Sequence, residues 1–253
     1  MSASVRLART AGVYYLLVGV FGGFAEAVRH SVYVPGDAAA TTKNLVSHPD
    51  LVRFSFVADL VQATFAIFLV LALFRLLEHV NRSMARAMVV FVVLQVAITG
   101  AHIVHQLAAL LVPTAPAYAG GFGTRGSNGL VLLLMEMRHS GELVAQIYFG
   151  LWLFPLGWLA CRSAMFPRPL GVLLLVASGA YLVDVPMQFL AHDIAAAISP
   201  IIVVPLVTIA EVSMVICLLI KGVRTPTPDD PPPGPPSPPP VVRIPANEPL
   251  ASA

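Results

Sequence analysis

Six stretches of the chain are each long and apolar enough to cross a lipid bilayer, and this constrains the fold more than any motif. They run from Thr10 to Val28, Phe54 to Leu77, Ala87 to Val112, Leu130 to Cys161, Pro169 to Leu190 and Ile198 to Ile220. Hydrocarbon is about 30 Å thick and a helix rises about 1.5 Å per residue, so a span needs roughly 20 apolar residues. In lipid the backbone has no water to bond, and a helix satisfies its amides within the segment. Each run therefore reads as helix despite its β-branched residues. Composition agrees: 57% of residues are hydrophobic and 11% charged, with a mean hydropathy of +0.82. A soluble domain carries about a quarter charged residues, so a water-soluble globule of this make-up could not cover its surface. The expected fold class is all-α, a polytopic membrane helix bundle of six transmembrane helices over residues 1–224.

Orientation follows from the basic residues between the runs. With the N-terminus inside, the cytoplasmic segments hold Arg6, Arg9, Arg75, Arg82, Arg86, Arg162, Arg168, Lys221 and Arg224, against Arg29, Lys43, Arg53 and Arg125 on the other side. Nine against four predicts both termini in the cytoplasm. A rival reading makes the first run a signal peptide, because Arg6 and Arg9 precede an apolar stretch ending in Ala25-Glu26-Ala27. The even number of runs and the consistent charge asymmetry favour its retention. The formal net charge of +2 and the lack of a basic cluster on a soluble segment argue against a nucleic-acid partner. Cys161 and Cys217 fall near cytoplasmic ends and read as small apolar residues, not as a disulfide.

Two runs carry internal prolines. The 32 residues from Leu130 to Cys161 would extend about 48 Å, so that helix must tilt, project or bend at Pro155. Pro205 marks a second expected kink. Residues 225–253 form a different polymer: Thr225 to Pro240 holds ten prolines in sixteen residues, which favours extended polyproline II over a packed core. The expectation is a disordered proline-rich cytoplasmic tail, either a spacer or a ligand for a cytoplasmic partner that reads such peptides.

Three passages carry a family resemblance: VPGDAAATTKNLVSHPDLVRFSFVADL from Val34 to Leu60, AQIYFGLWLFPLGWLACRSAMFPRPLGVLL from Ala145 to Leu174, and GAYLVDV from Gly179 to Val185. In these the chain resembles the bacterial integral membrane family called domain of unknown function 4386. The resemblance spans about Arg9 to Ile220. It implies a multi-pass protein of the bacterial inner membrane, in contact with membrane lipids, and brings no activity with it. The proline tail lies outside it.

Ionisable side chains inside a span cost about 2.5 to 3.5 kcal/mol each on insertion scales, so they face the bundle interior and mark a site or a structural pairing. Asp59 lies six residues past Arg53, about 9 Å from the outer edge, and His102 sixteen past Arg86, about 24 Å from the inner edge. Glu26, Arg29, His30, His105, Gln106, Glu136, Arg138, His139, Glu142, Asp184 and Gln188 also fall in the outer half, and Glu211 is the exception. Five helices thus bring acids and histidines to one leaflet. This predicts an outward-facing polar pocket built by Glu26, Asp59, His102, His105, Glu136, Arg138, His139, Glu142 and Asp184; the alternative is a buried hydrogen-bonded network alone, in which Asp59 or Asp184 pairs with Arg138 or a histidine. A guanidinium in mid-span needs an ionised acid beside it, so Arg138 should pair with Glu136, Glu142, Asp59 or Asp184.

The leading functional expectation is a protein that binds or moves a small molecule, lipid or proton through this pocket, with no cofactor. The alternative is a metal-dependent intramembrane enzyme that uses His102, His105 and His139 as ligands and Glu136 or Glu142 as base. A Glu-x-x-His motif on one helix is too few for a di-iron site, which wants it on two. A third reading is a structural subunit of a membrane complex, contacted through the tail. The residues between Ser31 and Leu51 read as a solvated loop with a turn at Gly36-Asp37; a short cap over the pocket, contributed to by Asp37 and His48, is the alternative. Gly120 to Gly123 lacks the lysine and strand context of a phosphate loop and reads as a flexible turn. Ser140 beside His139 cannot form a catalytic pair, since helix neighbours point about 100° apart.

Overall fold

The computed structural model describes residues 3–118 and 120–221, and every regular element among them is helical. The proline tail falls outside the described residues. The elements are α1 (Ala3–Val32), α2 (Ala38–Ser47), α3 (Pro49–Leu77), α4 (Arg82–Thr114), α5 (Gly123–Arg162), α6 (Arg168–Leu190), α7 (His192–Ile198), a π-helical turn (Ser199–Val203), α8 (Val204–Ile216) and a second π-helical turn (Cys217–Lys221). Six segments are long and apolar enough to span: α1, α3, α4, α5, α6 and the composite segment from His192 to Ile220. Most helices outrun the apolar stretches that announce them. A helix need not stop where lipid does, since water satisfies its ends equally well.

Successive spans are neighbours. α1 packs on α3, α3 on α4, α4 on α5, α5 on α6 and α6 on α8, and the last segment returns to α1 to close the ring. Lipid-facing and inward stripes alternate at helical spacing. On α1, Val13, Leu16, Val20 and Phe24 are exposed, while Ala8, Ala11, Tyr15, Ala25, Val28 and Val32 are buried.

Small residues set the closest approaches. A Cβ on Gly171 would lie 2.4 Å from Cys161 Sγ, and one on Gly157 would lie 2.8 Å from the Gly171 carbonyl oxygen, so α5 and α6 cross almost backbone to backbone. Ser178 Oγ donates 2.7 Å to the Gly150 carbonyl across the same pair.

The long α5 is unbroken across Pro155, which is buried within it. The sixth run is irregular just before Pro205: a π-helical turn from Ser199 to Val203 runs directly into α8, and the proline is the second residue of that helix. The segment read as a solvated loop contains α2. Gly36 takes φ of +74°, Asp37 caps the helix by accepting from Ala40 N–H at 2.9 Å, and Thr41 and Leu45 are buried. Thr41 bonds both the amide and the carbonyl of Val34 at 3.1 Å. This helix packs on α1, α3, α4 and α5, and so lies across one end of the bundle.

Two apolar clusters fill the interior. The larger joins Tyr15, Leu69, Leu73, Leu77, Met88, Trp152, Leu156, Leu159, Leu174 and Met214, among others. The smaller lies beneath α2 and consists of Val32, Leu45, Val52, Ala109, Leu110, Val112, Val131 and Met135. The chain positions between them on α1, α3, α4 and α5 are where the ionisable residues gather.

Candidate functional site

Arg138 is the centre of the polar layer. Its side chain is 1% exposed, yet it lies on the same stripe of α5 as Val131 and Met135, which face the smaller apolar cluster. Helical spacing turns that stripe inward and carries the guanidinium with it. Nη1 donates to Glu142 Oε2 at 2.6 Å, one turn along the same helix, and to His102 Nδ1 of α4 at 2.7 Å. Nη2 donates to Asp59 Oδ2 of α3 at 3.3 Å.

Arg29 of α1 completes the cluster from the other side. Its Nη1 donates to both Asp59 oxygens at 3.2 Å, and its Nη2 bonds Glu26 and lies 3.8 Å from Glu142 Oε2. Asp59 is thus shared by two guanidiniums, and the cluster sets two arginines against three carboxylates. Burial of each charge is offset by direct pairing, the condition under which lipid-embedded ions persist.

The cluster is not closed. His102 accepts from Arg138 at Nδ1, so the proton of a neutral ring sits on Nε2; that atom lies 3.8 Å from Glu142 Oε2, beyond hydrogen-bond reach, and has no hydrogen-bond partner among the described residues. Arg138 Nε is a second buried donor without one. At the edge, Glu142 is 24% exposed and Glu26 47% exposed, and His30 Nε2 lies 3.0 Å from Glu26 Oε1.

Of the nine residues the sequence singles out, five meet here: Glu26, Asp59, His102, Arg138 and Glu142. His105 is half-buried next to them, its Nδ1 3.0 Å from the His102 carbonyl of its own helix. Glu136 and His139 are exposed on another face of α5, where the His139 ring lies 6.0 Å from that of Tyr33. Asp184 pairs elsewhere: Ser199 Oγ donates to it, and Gln188 Nε2 donates to Ser199 Oγ at 3.1 Å, tying α6 to the π-helical turn. Four spans, α1, α3, α4 and α5, therefore build the cluster.

His102, His105 and His139 do not converge, and among the described residues no group of three or more His, Cys, Asp or Glu side chains is arranged to hold a metal ion. Asp37 and His48 serve the ends of α2, as the N-cap and as an exposed residue at its C-terminal boundary.

Two participants escape the sequence reading. Arg29 is placed there at the outer end of the first helix but left out of the pocket, although it follows the buried Ala25 by four residues and precedes the buried Val32 by three. That spacing is the signal that it points inward. Gly141 is the other: a Cβ there would lie 2.3 Å from His102 Cβ, so only glycine lets α4 and α5 close enough for the His102–Arg138 bond. Nearby, Gln106 Nε2 donates to Ser55 Oγ at 2.7 Å, a neutral tie between α4 and α3.

Six spanning-length helices around a layer of paired charges define a multi-pass integral membrane protein. Residues 10–222 match the family described as Domain of unknown function (DUF4386), and the chain belongs to that family. No curated protein and no solved structure matches it.

Proposed function

We propose that the protein binds a small polar molecule, through a hydrogen-bond acceptor on that molecule, at the Arg138 cluster. The observation that carries this reading is the pair of unpartnered buried donors, Arg138 Nε and His102 Nε2, inside a cluster whose Glu26 and Glu142 side chains are partly exposed. A buried donor left unpaired costs about 1 to 3 kcal/mol, so an acceptor placed there recovers that cost on binding. Because acids outnumber arginines, the ligand is neutral or zwitterionic, with any cationic group turned toward Glu26 and Glu142. Binding is favoured over secondary transport because the sequence has no visible inverted repeat.

The membrane setting belongs to the same proposal. Nine basic residues against four support cytoplasmic termini in a bacterial inner membrane, with the cluster in the leaflet away from the cell interior. A membrane-impermeant maleimide on intact cells should then label Asp37→Cys but not Ala164→Cys in a background without native cysteines. The reverse pattern inverts the orientation.

The site itself is tested by an experimental structure of the full chain in lipid nanodiscs. Non-protein density within hydrogen-bonding distance of both Arg138 Nε and His102 Nε2 is the expected result. If both donors instead turn onto Glu142 or Asp59 with nothing beside them, the cluster is a structural clamp and the proposal fails.

A further inference from the structure

A second group of polar atoms lies in the larger apolar cluster, several turns from Arg138. Tyr15 of α1, Gln95 of α4, Trp152 of α5 and Glu211 of α8 line one cavity of about 20 Å³, walled otherwise by Val18, Ala66, Leu69, Val70, Val92 and Phe149. Tyr15 is 2% exposed and Trp152 4%. The Tyr15 hydroxyl, Trp152 Nε1 and Glu211 Oε1 are all buried, and none has a hydrogen-bond partner among the described residues. Three orphaned polar atoms thus belong to residues that line one void, in a cluster that is otherwise apolar. Native cores leave such atoms unpaired only rarely.

We infer that this cavity is a hydration site, holding a bound water molecule that bridges Tyr15, Trp152 and Glu211. A water needs about 10 to 15 Å³ of free volume and two to four polar partners, and the cavity offers both. The hydrogen-bonding inventory also fits. The Trp152 indole can only donate and the Tyr15 hydroxyl donates readily, so the water oxygen accepts from both. Its two hydrogens then face Glu211 Oε1 and the Gln95 amide. Five helices line the cavity, and the bridge would tie α8 to α1, α4 and α5, where no direct polar bond does so among the described residues. The inference stands apart from the Arg138 cluster, and neither depends on the other.

Synchrotron radiolysis of the full chain in lipid nanodiscs tests it, because ionised bound water yields hydroxyl radical that modifies the side chains it touches. Met88 and Met214 are internal controls: both are fully buried in the same cluster, outside the cavity wall, and methionine is readily oxidised. The expected result is modification of Tyr15 and Trp152 several-fold faster than of the two methionines. Trp152 modification should fall in Glu211→Leu, which removes an acceptor and fills the void, and also in Tyr15→Phe, which removes one donor with little change in shape. Equal modification of Tyr15, Trp152 and the methionines in the unaltered chain overturns the site. So does Trp152 modification unchanged in both variants.

Discussion

From Val70 to Leu77 on α3 and from Leu153 to Leu159 on α5 the bundle interior is apolar but for the Glu211 cavity at its edge, whereas a few turns along the same two helices it holds Asp59, Arg138 and Glu142. The lipid outside is equally apolar in both places. Lipid tails are as apolar as leucine, so neither half gains from hiding hydrocarbon from its surroundings. The apolar half is held by close approach, through Gly157 and Gly171. The polar half is held by ions that have no acceptable alternative: with Asp59 shared between Arg29 and Arg138, a helix that leaves the cluster strands a charge in hydrocarbon. The comparison separates adhesion by shape from adhesion by enforced pairing.

The largest effect should come from the polar half. Arg138→Leu leaves Asp59 and Glu142 buried with Arg29 alone, and should destabilise by about 3 to 5 kcal/mol, as expected when one partner of a buried pair is removed. Steric-trap unfolding in bicelles measures it. Arg138→Lys should recover only part, because an ammonium is a point charge and cannot reproduce the guanidinium fork across Asp59, His102 and Glu142.

Next comes the glycine crossing. Gly171→Val puts a branched side chain where Cys161 Sγ already lies 2.4 Å from an added Cβ, and should cost about 3 kcal/mol, the upper part of the overpacking range. If it costs nothing, α5 and α6 do not cross as closely as described. Ser178→Ala, which removes a single bond to the Gly150 carbonyl, should cost about 1 kcal/mol in the same assay.

Much of this architecture was legible in the sequence, because bilayer thickness acts on sequence directly. All six runs became helices long and apolar enough to span, and a π-helical turn ends two residues before Pro205. Arg138 paired with two of the acids it was expected to need, Asp59 and Glu142. What stayed hidden depended on packing. The i, i+3 spacing of Glu136 and His139 suggested a shared functional face, but that face points away from the cluster while Arg138 and Glu142, at i, i+4, point in. Only the buried stripe through Val131 and Met135 decides between them. Asp184 has the right depth but a nearer partner in Ser199, supplied by a π-helical turn with no clear sequence signature. The short α2 was obscured by its polar residues, although Asp37 as a cap and Thr41 with Leu45 at i, i+4 were visible traces of it.

The central claim, that charges from separate spans pair inside the bundle and hold it together, is tested most directly by a double-mutant cycle. Asp59→Leu, Arg138→Leu and the double variant would be unfolded by steric trapping in the same bicelles. Direct pairing predicts a double variant less damaged than the sum of the two single variants, with a coupling of about 1 kcal/mol or more. Effects that add to within about 0.5 kcal/mol would contradict it, and would mean that Asp59 and Arg138 face separate surroundings.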